Sequence, residues 1–205
     1  MSEKGLIVVI SAPSGTGKGT VIKKVRKRHD GFEFSVSVTT RARREGEEEA
    51  VDYFYVSEDS FKQMIDNDEL IEWVRYCGNY YGTPRKYVED CCDSGRDVFL
   101  DIEVEGALNI KKKYPDSVHI FMLPPSLWEL KRRISKRGTE TEQDIERRIE
   151  KALSELLYLK EYDYVFFNTD VDESVENVLT ILRSEKMKVG RNLNILNKIE
   201  GLKGE

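Results

Sequence analysis

Gly5-Leu6-Ile7-Val8-Val9-Ile10-Ser11-Ala12-Pro13-Ser14-Gly15-Thr16-Gly17-Lys18-Gly19-Thr20 is the stretch that decides the fold. A short β-branched run is followed by a loop of Gly, Ser and Pro. A helical segment then runs from about Lys18 to Arg28, with Val21, Ile22 and Val25 on one face. Strand, glycine loop and helix in that order are what a phosphate-binding loop requires. Gly15 and Gly17 let backbone N–H groups turn inward, the helix start adds partial positive charge, and Lys18 adds a full one for β- and γ-phosphates. The pattern GxxxxGK[ST] is missed at both ends, because Ala12 stands at the first glycine and Gly19 at the hydroxyl that would ligate Mg²⁺. Ala12 is tolerated if its φ is negative. Without a hydroxyl at Gly19, Mg²⁺ is expected to be held by nucleotide oxygens and water, with Thr20 helping indirectly and no direct protein ligand.

Outward from this loop, DVFLDIE, VHIFML and YVFF supply further apolar strands at 98–102, 118–123 and 164–167, with helical stretches between them. That alternation predicts an α/β fold, a parallel sheet flanked by helices. Three stripes are read as core: Leu127, Leu130 and Ile134; Ile145, Ile149, Ala152, Leu153 and Leu156; and Val171, Val175, Val178, Leu179 and Leu182. Residues 37–94 differ, with short aromatic pieces (DYFYV, LIEWVRY, NYYGT), polar turns and one helix near 57–65. They are expected to form an inserted lobe. RGTETEQD, residues 137–144, is polar and aperiodic, and predicts a mobile loop between two helices. Residues 189–205 read as a loosely docked or disordered tail.

Composition narrows the functional classes. The 205 residues carry 33 Lys plus Arg against 38 Asp plus Glu, a net charge of −5, which argues against a globally basic nucleic-acid binder. With 39% hydrophobic residues, roughly 80 side chains are available, enough for one core with small inserted lobes. The longest apolar run, from Leu6 to Ile10, is far short of the roughly 20 residues that span a bilayer, and Glu3 spoils a secretory signal, so a soluble cytoplasmic protein without membrane contact is expected. Cys77, Cys91 and Cys92 are odd in number and lack metal-ligand spacing; they read as reduced thiols without chemistry.

A second anion site is suggested by FSVSVTTRARREGE, where Arg41 and Arg44 stand three apart among hydroxyls and can fork around one phosphate. The same cluster also reads as a solvated charge patch in which Arg43, Glu45, Glu47, Glu48 and Glu49 pair among themselves. Glu72, between Ile71 and Trp73, reads on its own as a surface acid, and Trp73, Tyr80 and Tyr81 as packing residues. Asp101, at the end of a predicted core strand, is placed to organise Mg²⁺-bound water or the acceptor site, or else is a buried acid satisfied by backbone.

Taken together, SAPSGTGKGT, FSVSVTTRARREGE, DYFYV, LIEWVRYCGNYYGTP, LDIEVEGA, LPPS before a basic helix, and RGTET before RRI resemble guanylate kinase. The resemblance runs from Ile7 to about Leu182. TTRxxRxGE and GNYYGTP are its most specific parts. It implies a P-loop NTPase-type core (1–36 and 95–188), a GMP-binding lobe (37–94) and a lid (137–150) within a domain of 5–184, and phosphorylation of GMP, and of dGMP, by ATP with Mg²⁺. ATP would lie on Ala12, Pro13, Ser14, Gly15, Thr16, Gly17, Lys18, Gly19 and Thr20. Asn168 would lie near its adenine, or alternatively cap a helix. GMP would be held by Ser37, Arg41, Arg44, Glu47, Tyr53, Glu72, Tyr81, Thr83 and Glu103. Of these, Ser37, Glu72, Thr83 and Glu103 would read guanine, and Arg41, Arg44, Tyr53 and Tyr81 would hold its phosphate. Lys18, Arg41, Asp101 and the lid arginines Arg137 and Arg148 would carry catalysis, helped by Arg133.

Three departures from the family pattern are Arg43 for Pro, Glu103 for Asp and Glu105 for Gln. Two rival readings remain at this stage. One is a related kinase acting on AMP, dTMP or a sugar phosphate. The other is a non-catalytic module binding phosphopeptides through the Arg41 and Arg44 region, a class in which the phosphate loop is usually damaged.

Overall fold

The structure, a computed structural model, describes residues 4–29, 31–135, 142–193 and 195. Its main sheet takes β1 (Ile7–Ser11), β2 (Phe32–Phe34), β7 (Asp97–Asp101), β8 (Val118–Leu123) and β9 (Tyr164–Phe167) in the order β2-β7-β1-β8-β9, all parallel. β-Branched runs fit a strand covered on both faces, and Val8 and Val9 are fully buried. The edge strand β2 was not read from the sequence, since the three residues FEF carry too little pattern. Parallel sheets of this kind bind ligands at the carboxyl ends of their strands. The register sets Ile10 beside Asp101, so the end of β7 stands level with the start of the glycine loop.

Helices α1 (Lys18–Arg28) and α7 (Val171–Lys186) cover one face, where Val21, Val25, Val175 and Val178 meet Val8, Ile10 and Ile120. On the other face, α3 (Arg85–Asp93) and α4 (Val104–Lys113) bring Val88, Cys91, Cys92, Ala107 and Ile110 against Val9, Val98 and Leu100. The segment expected to be lobe therefore ends in a helix whose apolar face belongs to the main core. All three cysteines are free thiols.

A second sheet, ordered β4-β3-β6-β5, is formed by β3 (Val38–Thr39), β4 (Phe54–Tyr55), β5 (Leu70–Tyr76) and β6 (Asn79–Pro84). β5 and β6 form a hairpin whose two turn residues, Cys77 (φ 47°) and Gly78 (φ 82°), both take positive φ, as a turn that follows strand twist requires. Helix α2 (Glu58–Asp66), capped by Ser57 accepting from the Ser60 N–H, buries Phe61 against Val38 and Leu70 in this sheet's own small core.

Helices α5 (Leu127–Ser135) and α6 (Glu142–Leu156) pack Leu130, Ile134, Ile145 and Ala152 together. α6 begins at Glu142, so 142–150 of the expected lid are helical. Leu127 and Leu153, read as core, are exposed, which narrows their stripes to the residues facing the α5–α6 seam. Arg137 lies outside the described residues, as does the tail beyond 195. No described helix is long and apolar enough to cross a membrane.

Candidate active site

The phosphate loop is shaped by two glycines and braced from behind. Gly15 and Gly17 have φ of +90° and +97°, where other residues are strained. A Cβ on Gly17 would come within 2.8 Å of Asn168 Nδ2, and one on Gly15 would meet Ile134 at 3.0 Å. Gly19 has open space around it, while Ala12 is not among the positive-φ residues, which explains why alanine serves there. The Thr16 carbonyl accepts from Asn168 Nδ2 at 2.7 Å and from Arg133 Nη1 at 2.9 Å. Arg133 is itself held by Glu129. Asn168 is buried, and its Oδ1 accepts from the Ser174 hydroxyl at 2.8 Å, so the amide is engaged at both ends. That corrects the capping reading of Asn168: it braces the loop, and the cap of α7 is Asp170, which accepts from the N–H groups of Asp172 and Glu173.

Lys18 opens α1 and turns its ammonium to an ion pair with Asp101 at the end of β7. This pair is the hinge of the site, because Lys18 and Asp101 also line a cleft of about 270 Å³ shared with Ser37, Arg41, Arg44, Glu47, Tyr53, Glu72, Tyr81 and Glu103. The expected acceptor residues other than Thr83 are thus gathered in one cavity, from strands β5 and β6, the loops around β3 and β4, and the residue that precedes α4. Thr83 stands just behind, donating to Glu72. A larger cavity of about 1110 Å³ lies at the amino ends of the main-sheet strands, away from the loop, and holds none of these residues.

Arg41 and Glu47 form a further ion pair of the cleft, with Arg41 Nη2 at 2.7 Å from Glu47 Oε1. Glu47 also accepts from the Arg44 N–H at 2.9 Å and the Tyr55 hydroxyl at 2.7 Å. The hydrogen bond from Arg41, supported by those two donors, holds the Glu47 carboxyl down at about 2 and drives the Arg41 guanidinium upward. Arg41 further lies over the Tyr53 ring, 5.3 Å from its centroid. Of the charges in this segment, Glu47 pairs with Arg41, and the pairing fixes Arg41 in the cleft. Glu47 acts as its anchor.

Glu72 corrects the surface-acid reading. β5 turns Glu72, Val74 and Tyr76 toward the cleft on alternate positions, with a bulge after Leu70, and leaves Glu72 only 3% exposed. Directly opposite in the hairpin, the Thr83 hydroxyl donates to Glu72 Oε1 at 2.6 Å. Burial raises the Glu72 carboxyl to about 7, against the pull of Thr83 and Lys113. Trp73, on the other side of the strand, is 41% exposed, and Tyr80 packs on Phe61, so only Tyr81 of the aromatic trio enters the cleft.

Three contributors were not singled out from sequence. Gly106 faces Glu72: a Cβ there would sit 2.7 Å from Oε2. Its signal was the glycine in LDIEVEGA at the start of a helix. Tyr76 follows Glu72 by four along an alternating strand. Lys151 stands three after Arg148 on α6, with Nζ 2.6 Å from Glu103 Oε2. Arg148 itself reaches Ser14 Oγ at 3.5 Å, bringing α6 to the phosphate loop.

Comparison with known proteins agrees with this geometry. The family model described as guanylate kinase matches residues 4–185. The chain belongs to the guanylate kinase family. It is 49% identical to the guanylate kinase of Bacillus subtilis (strain 168) over 189 residues, covering 92% of this chain and 93% of that one. It is 47% identical to the guanylate kinase of Clostridioides difficile (strain 630), over 99% and 98% of the two chains. Among solved structures, the guanylate kinase from Anaplasma phagocytophilum superposes with a TM-score of 0.78 at 38% identity, covering 93% of this chain and 90% of that one.

Proposed function

We infer that this chain transfers the terminal phosphoryl group of ATP to GMP, and to dGMP, giving the nucleoside diphosphate and ADP. The observation that carries this reading is the buried Glu72–Thr83 couple facing the same cleft as Arg41 and Lys18. Guanine presents N–H donors at N1 and N2 and an acceptor at O6, which suits a carboxylate and a hydroxyl. Adenine would turn a lone pair at that carboxylate and leave a buried charge unpaired, at about 1–3 kcal/mol or more. Glu103 supplies a second carboxylate and Ser37 a second hydroxyl. No residue named here polices the ribose 2′-OH, which is why dGMP is included.

Arg41, Arg44, Tyr53 and Tyr81 take the acceptor phosphate at the end of the cleft nearer Lys18. The backbone of residues 12–20 takes the donor phosphates. Phosphoryl transfer asks little proton chemistry of the protein, so its work is alignment and neutralisation of charge. Lys18, released from Asp101 by an arriving phosphate, follows the migrating group, and Arg148 adds charge from the α6 side. Mg²⁺ bound with ATP would add charge neutralisation. No group of three His, Cys, Asp or Glu among the described residues would hold the ion alone, whereas Asp101 and the exposed Thr20 suit its water shell.

The test is ADP release with ATP and Mg²⁺ against GMP, dGMP, AMP, CMP, UMP and dTMP. Turnover confined to the guanine nucleotides is expected. Equal turnover of AMP and GMP would overturn the specificity, and silence across the panel with ATP bound would turn the assignment to another acceptor or to a binding module.

A further inference from the structure

Lys151 occupies a position that the phosphoryl-transfer scheme does not use. It projects from α6, one turn beyond Arg148, and its ammonium meets three groups from three parts of the fold. Glu103 Oε2, from the residue preceding α4 on the main core, lies at 2.6 Å; Glu155 Oε1, on α6 itself, lies at 3.5 Å; and the Tyr76 ring of β5 has its centroid 3.7 Å away. Tyr76 and Glu103 both line the acceptor cleft. Burial alone would lower the Lys151 ammonium, yet its bonds to Glu103 and Tyr76 leave it raised, so it is a fixed cation. Burial raises the Glu155 carboxyl, and the nearby charge of Glu103 adds to that.

The contact uses one oxygen of Glu103 and fixes the rotamer of a carboxylate that would otherwise be a long, free side chain. Glu103 stands where aspartate is common in the family, and the extra methylene is what lets it meet α6. The helix that places Arg148 against the phosphate loop is thereby tied to the group that meets the acceptor base. We propose that Lys151 is a positioning residue that orients Glu103 for guanine and couples occupancy of the acceptor cleft to the placement of α6 over the donor phosphates. The proposal rests on the GMP-kinase reading above.

The experiment uses the full chain and measures GMP affinity with and without a non-hydrolysable ATP analogue, alongside GMP kinetics, in Lys151→Met, Lys151→Arg, Glu103→Gln and the double variant. In the parent, each nucleotide is expected to tighten the other by about fivefold or more, within the usual range of coupling between sites. Lys151→Met is expected to abolish that mutual effect and to raise the GMP KM about tenfold, with a smaller change in kcat. Lys151→Arg should restore both, since a guanidinium can bridge the same carboxylate. In a Glu103→Gln background, Lys151→Met should add little, because the two act through one contact. Full coupling and unchanged GMP kinetics in Lys151→Met would overturn the proposal, as would additive effects in the double variant. A parent that turns over no GMP would instead sink the reading on which it rests.

Discussion

Where the phosphate loop presents backbone, the acceptor cleft presents side chains already paired with one another. The loop takes its shape from Gly15 and Gly17 at positive φ and from two donors, Asn168 and Arg133, that grip the Thr16 carbonyl from behind. The cleft is held by Arg41 on Glu47, Lys151 on Glu103 and Thr83 on Glu72. The donor side is braced whatever the ligand, because the fold itself holds the Thr16 carbonyl. The acceptor side holds charges in reserve, and a nucleotide that fits must exchange partners with them. On the proposed reading, shape serves the part common to all nucleoside triphosphates, and side-chain chemistry serves the part that tells one base from another. Lys18 and Asp101 stand between, as an ion pair that binding must open.

The largest effect should come from breaking the junction. Lys18→Met should lower kcat about a thousandfold by removing the cation that follows the transferred group, while GMP affinity measured by titration stays within about threefold. Loss of GMP binding with kcat retained would show that the lysine serves the acceptor alone.

Next comes Glu72→Gln, expected to reduce kcat/KM for GMP about a hundredfold with ATP affinity unchanged. Its pH behaviour follows from burial, which lifts the folded-state carboxyl to about 7. The folded protein then holds a proton that the unfolded chain has lost between about pH 4.5 and 7, so stability falls as pH rises through that window and levels off above it. Guanine needs the ionised form, so GMP affinity should move the opposite way and weaken about tenfold from pH 8 to pH 6. Thermal unfolding between pH 5 and 8 should show the stability slope in the parent and a shallower one in the variant; identical slopes would place the titration elsewhere.

Gly106→Ala sharpens the same contrast. Its Cβ would stand 2.7 Å from Glu72 Oε2, so the carboxylate must shift and the GMP KM should rise about tenfold, with the ATP KM held. An equal rise in both would mean that the helix moved rather than the carboxylate.

The smallest effect belongs to Gly19, the one glycine of the loop segment with open space around it. Gly19→Ala should stabilise the protein by about 0.5–1 kcal/mol through the helix it starts, seen as a small rise in thermal midpoint. A fall would show that the second residue of α1 needs glycine after all.

The loop, the four longer core strands and the alternating strand that carries Glu72 could be read from residues alone, because each is a local pattern: a glycine spacing, a β-branched run, an alternation. Asn168 behind the loop could not, since 152 residues separate it from the Thr16 carbonyl it holds. Nor could the burial of Glu72. An acid between Ile71 and Trp73 looks exposed until β6 is laid beside β5 and α4 closes over it with a glycine at the contact. The sequence by itself determined where the glycine loop lies, at the first strand's end, because backbone conformation and hydrophobic period act over a few residues. Only the tertiary structure decided which charges neutralise each other and which are buried, because Lys151 meets Glu103, and Thr83 meets Glu72, through contacts that exist once separate elements have packed and water has been excluded between them.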